Sequence, residues 1–406
     1  MIKASSLLYA IFVCLIVSLL CGGLVIIFNL QFSLKEHFLI EEDLINTSYN
    51  HRLLILEKLG NDISLKQGEI VSEENFITTN YKVTNWGNYN ILKMVTSFKK
   101  DTIYKNILFG SSSRESYPAV YVTDAQEPLY IGGNTKINGE IKVSIKGIKP
   151  GYLNNQNFIG TLPNKDQVGL SKNSLPKLDI TNSIIPELTI IKFAEEVDNS
   201  KIYNSFHKPT ILLKYTGITN IENTDLAGNI IIESQDSIHI KKSSNLLDVI
   251  IKAPSVSFEE GFEGRVQVFA EKNVFLSKEV KLMYPSCIHV KSDNLLQKNK
   301  IFLDENSVLV GAIILDDANV IGVQKTIDIE KKAILYGDIY CKGKIQLNGK
   351  IFGSVYTNKF YYQTDSGLYD NYIIDGEIDI KKLPIDFIGV PLFTENNLVY
   401  EIIKEL

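Results

Sequence analysis

The sequence predicts a mainly β chain. An N-terminal transmembrane helix and a short helical segment lead into a three-sided parallel β-solenoid (β-helix) with about 18 residues per coil. Three observations predict it. Leu303, Leu309, Leu315, Ile321, Ile327, Ala333, Ile339, Ile345 and Ile351 are all apolar and all six residues apart. A second row of the same spacing holds Leu226, Ile232, Ile238, Ile250, Val256, Phe262, Val268, Val274 and Val280, broken only by Ser244. A beat of six fits neither a 3.6-residue helix nor a simple alternating strand, but it fits a coil of short flat sides and corners. The third observation is a charge-free run from Ala4 to Leu34.

That run accounts for the first element, an anchor at 1–34. Its apolar core, Leu7 to Leu30, is long enough to cross a hydrocarbon layer of about 30 Å. A cleaved signal peptide has a shorter apolar stretch and a small-residue cleavage site, and neither is present. The expected partner of residues 7–30 is a lipid bilayer. Lys3 precedes the span, and Lys35 follows it together with Glu36, Glu41, Glu42 and Asp43. We expect the N-terminus inside and the bulk of the chain outside a bacterial inner membrane, periplasmic or extracellular.

The helical segment spans 35–60. Glu41, Glu42 and Asp43 suit a helix start, and Arg52, Lys58 and Gly60 suit its end. Leu53, Leu54, Ile55 and Leu56 are too apolar for a solvated stalk, so this helix is expected to pack on something. Residues 61–209 read as mixed β and loop, with a first solenoid turn or its edge at 131–143, where Ile131, Ile137 and Val143 carry the beat. Within them, 144–209 read as a large insertion or loop. The solenoid proper is placed at 210–357, with a phase break at 281–302. Residues 358–406 lose the beat and read as a C-terminal cap over its open end.

Asp236, Lys242, Asp248, Pro254, Glu260, Lys272 and Lys278 sit two positions before members of the row that starts at Leu226 and suit outward corners. Ser237 to Ile240, Ser255 to Phe258 and Asn273 to Leu276 align at eighteen-residue spacing, each with two apolar residues flanking one outward residue. Ile250, Val268, Ile339 and Ile345 are therefore expected to point inward.

The net charge is −5 and the arginines are Arg52, Arg114 and Arg265, which argues against a nucleic-acid partner. Cys14 and Cys21 lie in the apolar run. Cys287 and Cys341 lie in the β region and read as two buried thiols, with a disulfide as the alternative in an oxidising compartment. No CxxC or His/Cys cluster appears, so no metal or cofactor site is expected.

No complete catalytic set is expected either. Asn223-Thr224-Asp225 resembles one element of the pectin-hydrolysing right-handed β-helix family, but Asp316-Asp317 follows Leu315 rather than glycine, and the family's other motifs are missing. The six-residue repeat resembles hexapeptide acyltransferases, which use a catalytic histidine. Here the histidines are His37, His51, His207, His239 and His289, and the last two read as outward strand residues. Gly110 to Ser116 is serine-rich yet lacks the Gly-x-Ser-x-Gly frame, so it reads as a loop.

Two further resemblances bear on function. Gly337-Asp-Ile339, Gly343-Lys-Ile345, Gly349-Lys-Ile351 and Gly353-Ser-Val355 resemble the bactofilins, polymer-forming proteins with a short triangular right-handed β-helix. The likeness covers 303–357, with an echo at 132–143, and implies a structural role. The long N-terminal helix is similar to that of type IV pilin-like subunits, although the processing glycine and the glutamate five residues on are absent. The expectation is a non-enzymatic, membrane-anchored envelope protein. Its solenoid would act as scaffold or as an adhesion and assembly surface, towards itself or other envelope proteins. The alternatives are a carbohydrate-active β-helix enzyme and a pilin-like or secretion-machine subunit.

Overall fold

The structure, a computed structural model, describes all residues except 1–3, 63–64, 74–75, 113–116, 154–155, 179, 181–188, 195–199, 293, 295, 317–322, 366 and 394–397. The chain is mainly β and carries one long helix. Anchor and helical segment form a single element, Ala4–Asn61, of 58 residues. At 1.5 Å per residue it is about 87 Å long. From Leu7 to Leu39 its side chains are almost all exposed. Its second half buries Leu44, Ile55, Leu56 and Leu59.

What the helix packs on is a five-stranded antiparallel sheet. Its strands run in the order Gln67–Val71, Thr78–Trp86, Tyr89–Phe98, Asp101–Ser111 and Tyr400–Glu405. Ile55, Leu56 and Leu59 form one core with Tyr81, Leu92, Met94, Ile107, Phe109 and Tyr400 of that sheet. The fourth and fifth strands are adjacent in space but almost three hundred residues apart in sequence. Everything between them is an insertion into the small sheet.

The insertion is a parallel β region. Its described strand pairings are parallel, except for two hairpins, Tyr152–Leu153 with Gln156–Asn157 and the end of Val355–Thr364 with Gly367–Asp370. Pairings sort into ladders with apolar columns. One column runs Ile238, Val256, Val274, Ile301, Ile327, Ile345. Another runs Leu282, Leu309, Leu335, Ile351, Ile378, Ile137. The longest runs Leu213, Ile232, Ile251, Val268, Ile288, Ile313, Ile339, Val355, Val120, Ile141. All these residues except Ile137 are buried together in one core, against which Ile137 packs. Rungs about 4.8 Å apart turn each column into a continuous apolar ladder.

Three expectations are corrected. The step between rungs is not uniform. It is eighteen residues from Ile238 to Val256 and from Val256 to Val274, but sixteen from Ile339 to Val355. It is longer elsewhere, as from Val274 to Ile301 and from Ile313 to Ile339. Second, the turn expected first, at 131–143, stacks near the far end, with Val168–Leu170 beyond it. Val120 follows Val355 in its ladder and Ile137 follows Ile378, because the chain crosses from the small sheet to the far end of the stack. Third, Ile250 is buried but faces outward, whereas Ile251 faces in. Asp248 adopts φ 61° at a register shift between Leu247 and Val249, and one extra residue there reverses the alternation. Val268, Ile339 and Ile345 face inward as expected.

Residues 358–406 do not lie over one end of the ladders. Glu377–Asp379 continues the stack, and Tyr400–Glu405 closes the small sheet. The ends of the ladders are Thr189–Phe193 and Val168–Leu170, neighbours in sequence yet at opposite ends. The described residues that follow Leu170 lie against the outside of the parallel region. The hydroxyl of Tyr121 donates to Ser174 O at 3.3 Å and that of Tyr340 to Pro176 O at 2.9 Å, while Leu178 bridges to Phe393.

Candidate functional surfaces

The helix presents a long exposed apolar surface. The side chains from Leu7 to Leu34 stand mostly exposed. By length and composition the helix is able to cross a membrane. The apolar surface does not stop where the anchor does. Phe38, Leu39, Ile45 and Tyr49 are exposed, and Leu53 and Leu54 remain 48% and 45% exposed beside the docked Ile55 and Leu56. Docking is fixed by a buried polar chain: His51 Nδ1 meets Thr79 Oγ1 at 2.8 Å, which meets Thr96 Oγ1 at 3.0 Å. Burial, with Lys58 nearby, lowers the pKa of His51. Arg52 and Lys105 both pair with Glu405 of the last strand, at 3.1 and 2.8 Å.

The second surface is the joint between the small sheet and the parallel region. The two-residue turn Gly87-Asn88 links Trp86 to Tyr89. Gly87 has φ 62°, as a hairpin turn with glycine at its first central position requires. A Cβ there would also strike the Gln267 side chain. The Gln267 amide spans the joint: its Oε1 accepts from Asn88 N–H at 2.8 Å and its Nε2 donates to Trp86 O at 2.9 Å. Asn88 Nδ2 donates to Cys287 Sγ at 3.0 Å, and Asn88 Oδ1 lies 3.1 Å from His289 Nδ1. Ile231, Ile250, Phe269 and Ile314 surround these bonds with an apolar outer face. Burial pushes the Cys287 thiol up to about 12 and His289 down to about 4. Sequence reasoning missed this joint, although Gly87-Asn88 between two β-like runs is a hairpin signal.

The candidates from the sequence do not converge. His37 is exposed on the helix. His207 meets Asn106, and His239 Nδ1 meets Ser257 Oγ at 2.6 Å on an outward rung. His289 also faces outward, but under the joint. Asp316 pairs with Lys342 at 2.6 Å and Lys291 at 3.5 Å. Burial opposes its charge, and the two ammonium groups more than offset that, so its carboxyl lies below the usual range. Asp317 lies outside the described residues, as do Ile321, Arg114 and Ser116. Asp225 accepts from the Tyr203 hydroxyl and, at 3.0 Å, from Asn245 Nδ2. Cys287 and Cys341 are both free and buried. Among the described residues no group of three or more His, Cys, Asp or Glu is placed to hold a metal ion.

No family model matches the chain, and no curated protein does. Among solved structures, the chain is similar to the competence-associated pilin ComZ from Thermus thermophilus. Identity is 10%, the match covers 89% of this chain and 94% of that one, and the TM-score is 0.22.

Proposed function

We propose that this chain is a non-enzymatic, single-pass membrane protein of a bacterial envelope that assembles through its helix as pilin-like subunits do. On this reading a β-solenoid stands outside the inner membrane as scaffold or adhesion surface. The observation that carries it is the helix surface. A bilayer core takes roughly 20 helical residues. Residues 7–30 meet that need, and an exposed apolar stripe continues through Phe38, Ile45, Tyr49 and Leu53, beyond both the bilayer and the sheet's cover. Contiguous apolar surface of this kind marks an interface, here with the helix of a second copy. The processing glycine is absent, so the anchor stays attached.

The three apolar columns support reading the parallel region as a three-sided solenoid. Steps of sixteen to twenty residues recur, eighteen between His239 and Ser257 among them, and support a coil of about that length. The resemblance of 303–357 to bactofilins belongs to this reading as a likeness of coil and of structural role. The commitment of Asp316 to two lysines supports a structural rather than a hydrolytic part.

Cys14 and Cys21 test the assembly directly, because they are exposed and one heptad apart on the helix. Membranes holding the full chain are oxidised with copper phenanthroline, extracted with carbonate, and treated with protease as spheroplasts. The expected result is a carbonate-resistant, protease-accessible chain forming disulfide-linked dimers that vanish in Cys14→Ser/Cys21→Ser. Extraction by carbonate refutes the anchor. Monomers alone, in a chain that stays anchored, refute assembly through the helix.

A further inference from the structure

A groove of about 880 Å³ runs along one corner of the parallel region, near the end formed by Thr189–Phe193. Its floor includes outward side chains in register. Phe193 pairs with Lys214, Lys214 with Glu233, Glu233 with Lys252, Lys252 with Phe269, and Phe269 with His289. Five rung spacings make the track about 24 Å long. Two phenyl rings thus bracket an ionic triplet, in which Glu233 lies 2.8 Å from Lys252 and 3.9 Å from Lys214. Phe193 is 45% exposed.

Charge narrows the ligand class. Lys214, Lys252 and Lys291 line the groove together with Glu233, Asp236 and Glu271, so it has no net charge at neutral pH. A second groove, lined by Lys300, Lys325, Lys342, Lys344 and Lys359 against Asp124, Asp328 and Asp370, is net positive. A polyanion would prefer that second site. An added peptide strand is disfavoured in the first, because the strands from Thr210 to Val290 are already paired on both sides.

One further group points into ligand chemistry. His289 lines the groove, is 6% exposed, and its Nε2 has no hydrogen-bond partner. Asn88 Nδ2 donates to Cys287, so Asn88 Oδ1 accepts from His289 Nδ1–H, and this tautomer leaves Nε2 as a free acceptor. Buried acceptors are normally satisfied. A hydroxyl donor would satisfy this one.

We propose that this groove binds an extended, uncharged oligosaccharide. Phe193, the exposed ring of the two, offers a flat apolar face to the C–H face of a sugar ring, while the buried Phe269 closes the far side of the ionic triplet. Glu233 and Lys252 offer acceptor and donor to ring hydroxyls, and His289 Nε2 accepts one more. No bond is made or broken.

The full chain, in a zwitterionic detergent free of sugar, is titrated calorimetrically with maltohexaose, cellohexaose and chitohexaose, and with polygalacturonate for comparison. Binding of an uncharged hexasaccharide is expected, weakened about tenfold or more by Glu233→Gln and by Phe193→Ala. Lys300→Ala, in the other groove, is expected to leave it unchanged. Phe193→Ala lies on an exposed end strand and keeps the test open should Glu233→Gln misfold. Three results each overturn the proposal: no heat with any uncharged hexasaccharide, affinities unmoved by both groove variants, or binding of polygalacturonate alone.

Discussion

Asn88 and Cys287 join the two halves of the globular part: Asn88 Nδ2, on a turn of the small sheet, donates to Cys287 Sγ at 3.0 Å in the parallel region. The same Asn88 side chain accepts from His289 at 3.1 Å. Asn88→Ala removes both bonds and leaves the buried Nδ1–H of His289 without an acceptor. An unmet buried donor costs about 1–3 kcal/mol. We expect a lower urea midpoint and earlier proteolytic cleavage between the small sheet and the insertion. An unchanged midpoint would mean the joint is held by apolar contact alone.

Cys287 and Cys341 should be silent thiols. Burial pushes both up to about 12, and the thiolate is the reactive form. Maleimide at neutral pH should leave Cys287 and Cys341 unlabelled in the native chain and label both after denaturation. Rapid native labelling of Cys287 would show that the joint opens.

His289 should make the chain acid-sensitive. Its pKa falls to about 4 in the fold, against about 6.5 when exposed. Between those values the unfolded chain binds a proton that the folded chain refuses. Its contribution is therefore complete above pH about 6.5 and lost as pH falls towards 4, a change on the order of a few kcal/mol. Asp316 and Lys291 are the charged groups that bear on it. Melting temperature should decline from pH 7 to pH 4.5, and His289→Gln should flatten that decline relative to the parent. Parallel curves for the two proteins would place the acid sensitivity elsewhere, with His51 the next group to examine.

Much of the parallel region was legible because a stack repeats its environment. Val256, Val274, Ile301 and Ile345 meet the same core, so one residue type recurs and the beat shows. Ser244, the break in the beat, is a corner: its hydroxyl donates to Lys241 O at 2.6 Å and Ile221 O at 3.1 Å. What stayed hidden was order and parity. Nothing local to Ile131–Val143 says that it stacks after Ile378, since ladder pairing joins residues far apart in sequence. Ile250 and Ile251 are chemically identical, and only the backbone at Asp248 decides which faces in. The joint was hidden for the same reason. Gln267 and Asn88 are ordinary polar residues until the fold sets them 179 positions apart and within 2.8 Å.

The parity reversal gives the sharpest test of the fold. Ile251 stacks between Ile232 and Val268 in the inner column, while Ile250 faces the cluster under Trp86 and Tyr89. An aspartate at either position buries a carboxylate without a partner, at a cost of several kcal/mol. The consequences should differ in place. Ile251→Asp should break the inner column and abolish the cooperative melting of the parallel region. Ile250→Asp should loosen the joint and spare the ladders. In that variant Trp86 emission should shift to the red as its burial is lost, while amides from 251 to 258 keep their protection against hydrogen exchange. Reversed behaviour of the two variants would restore the unbroken six-residue register and remove the role assigned to Asp248.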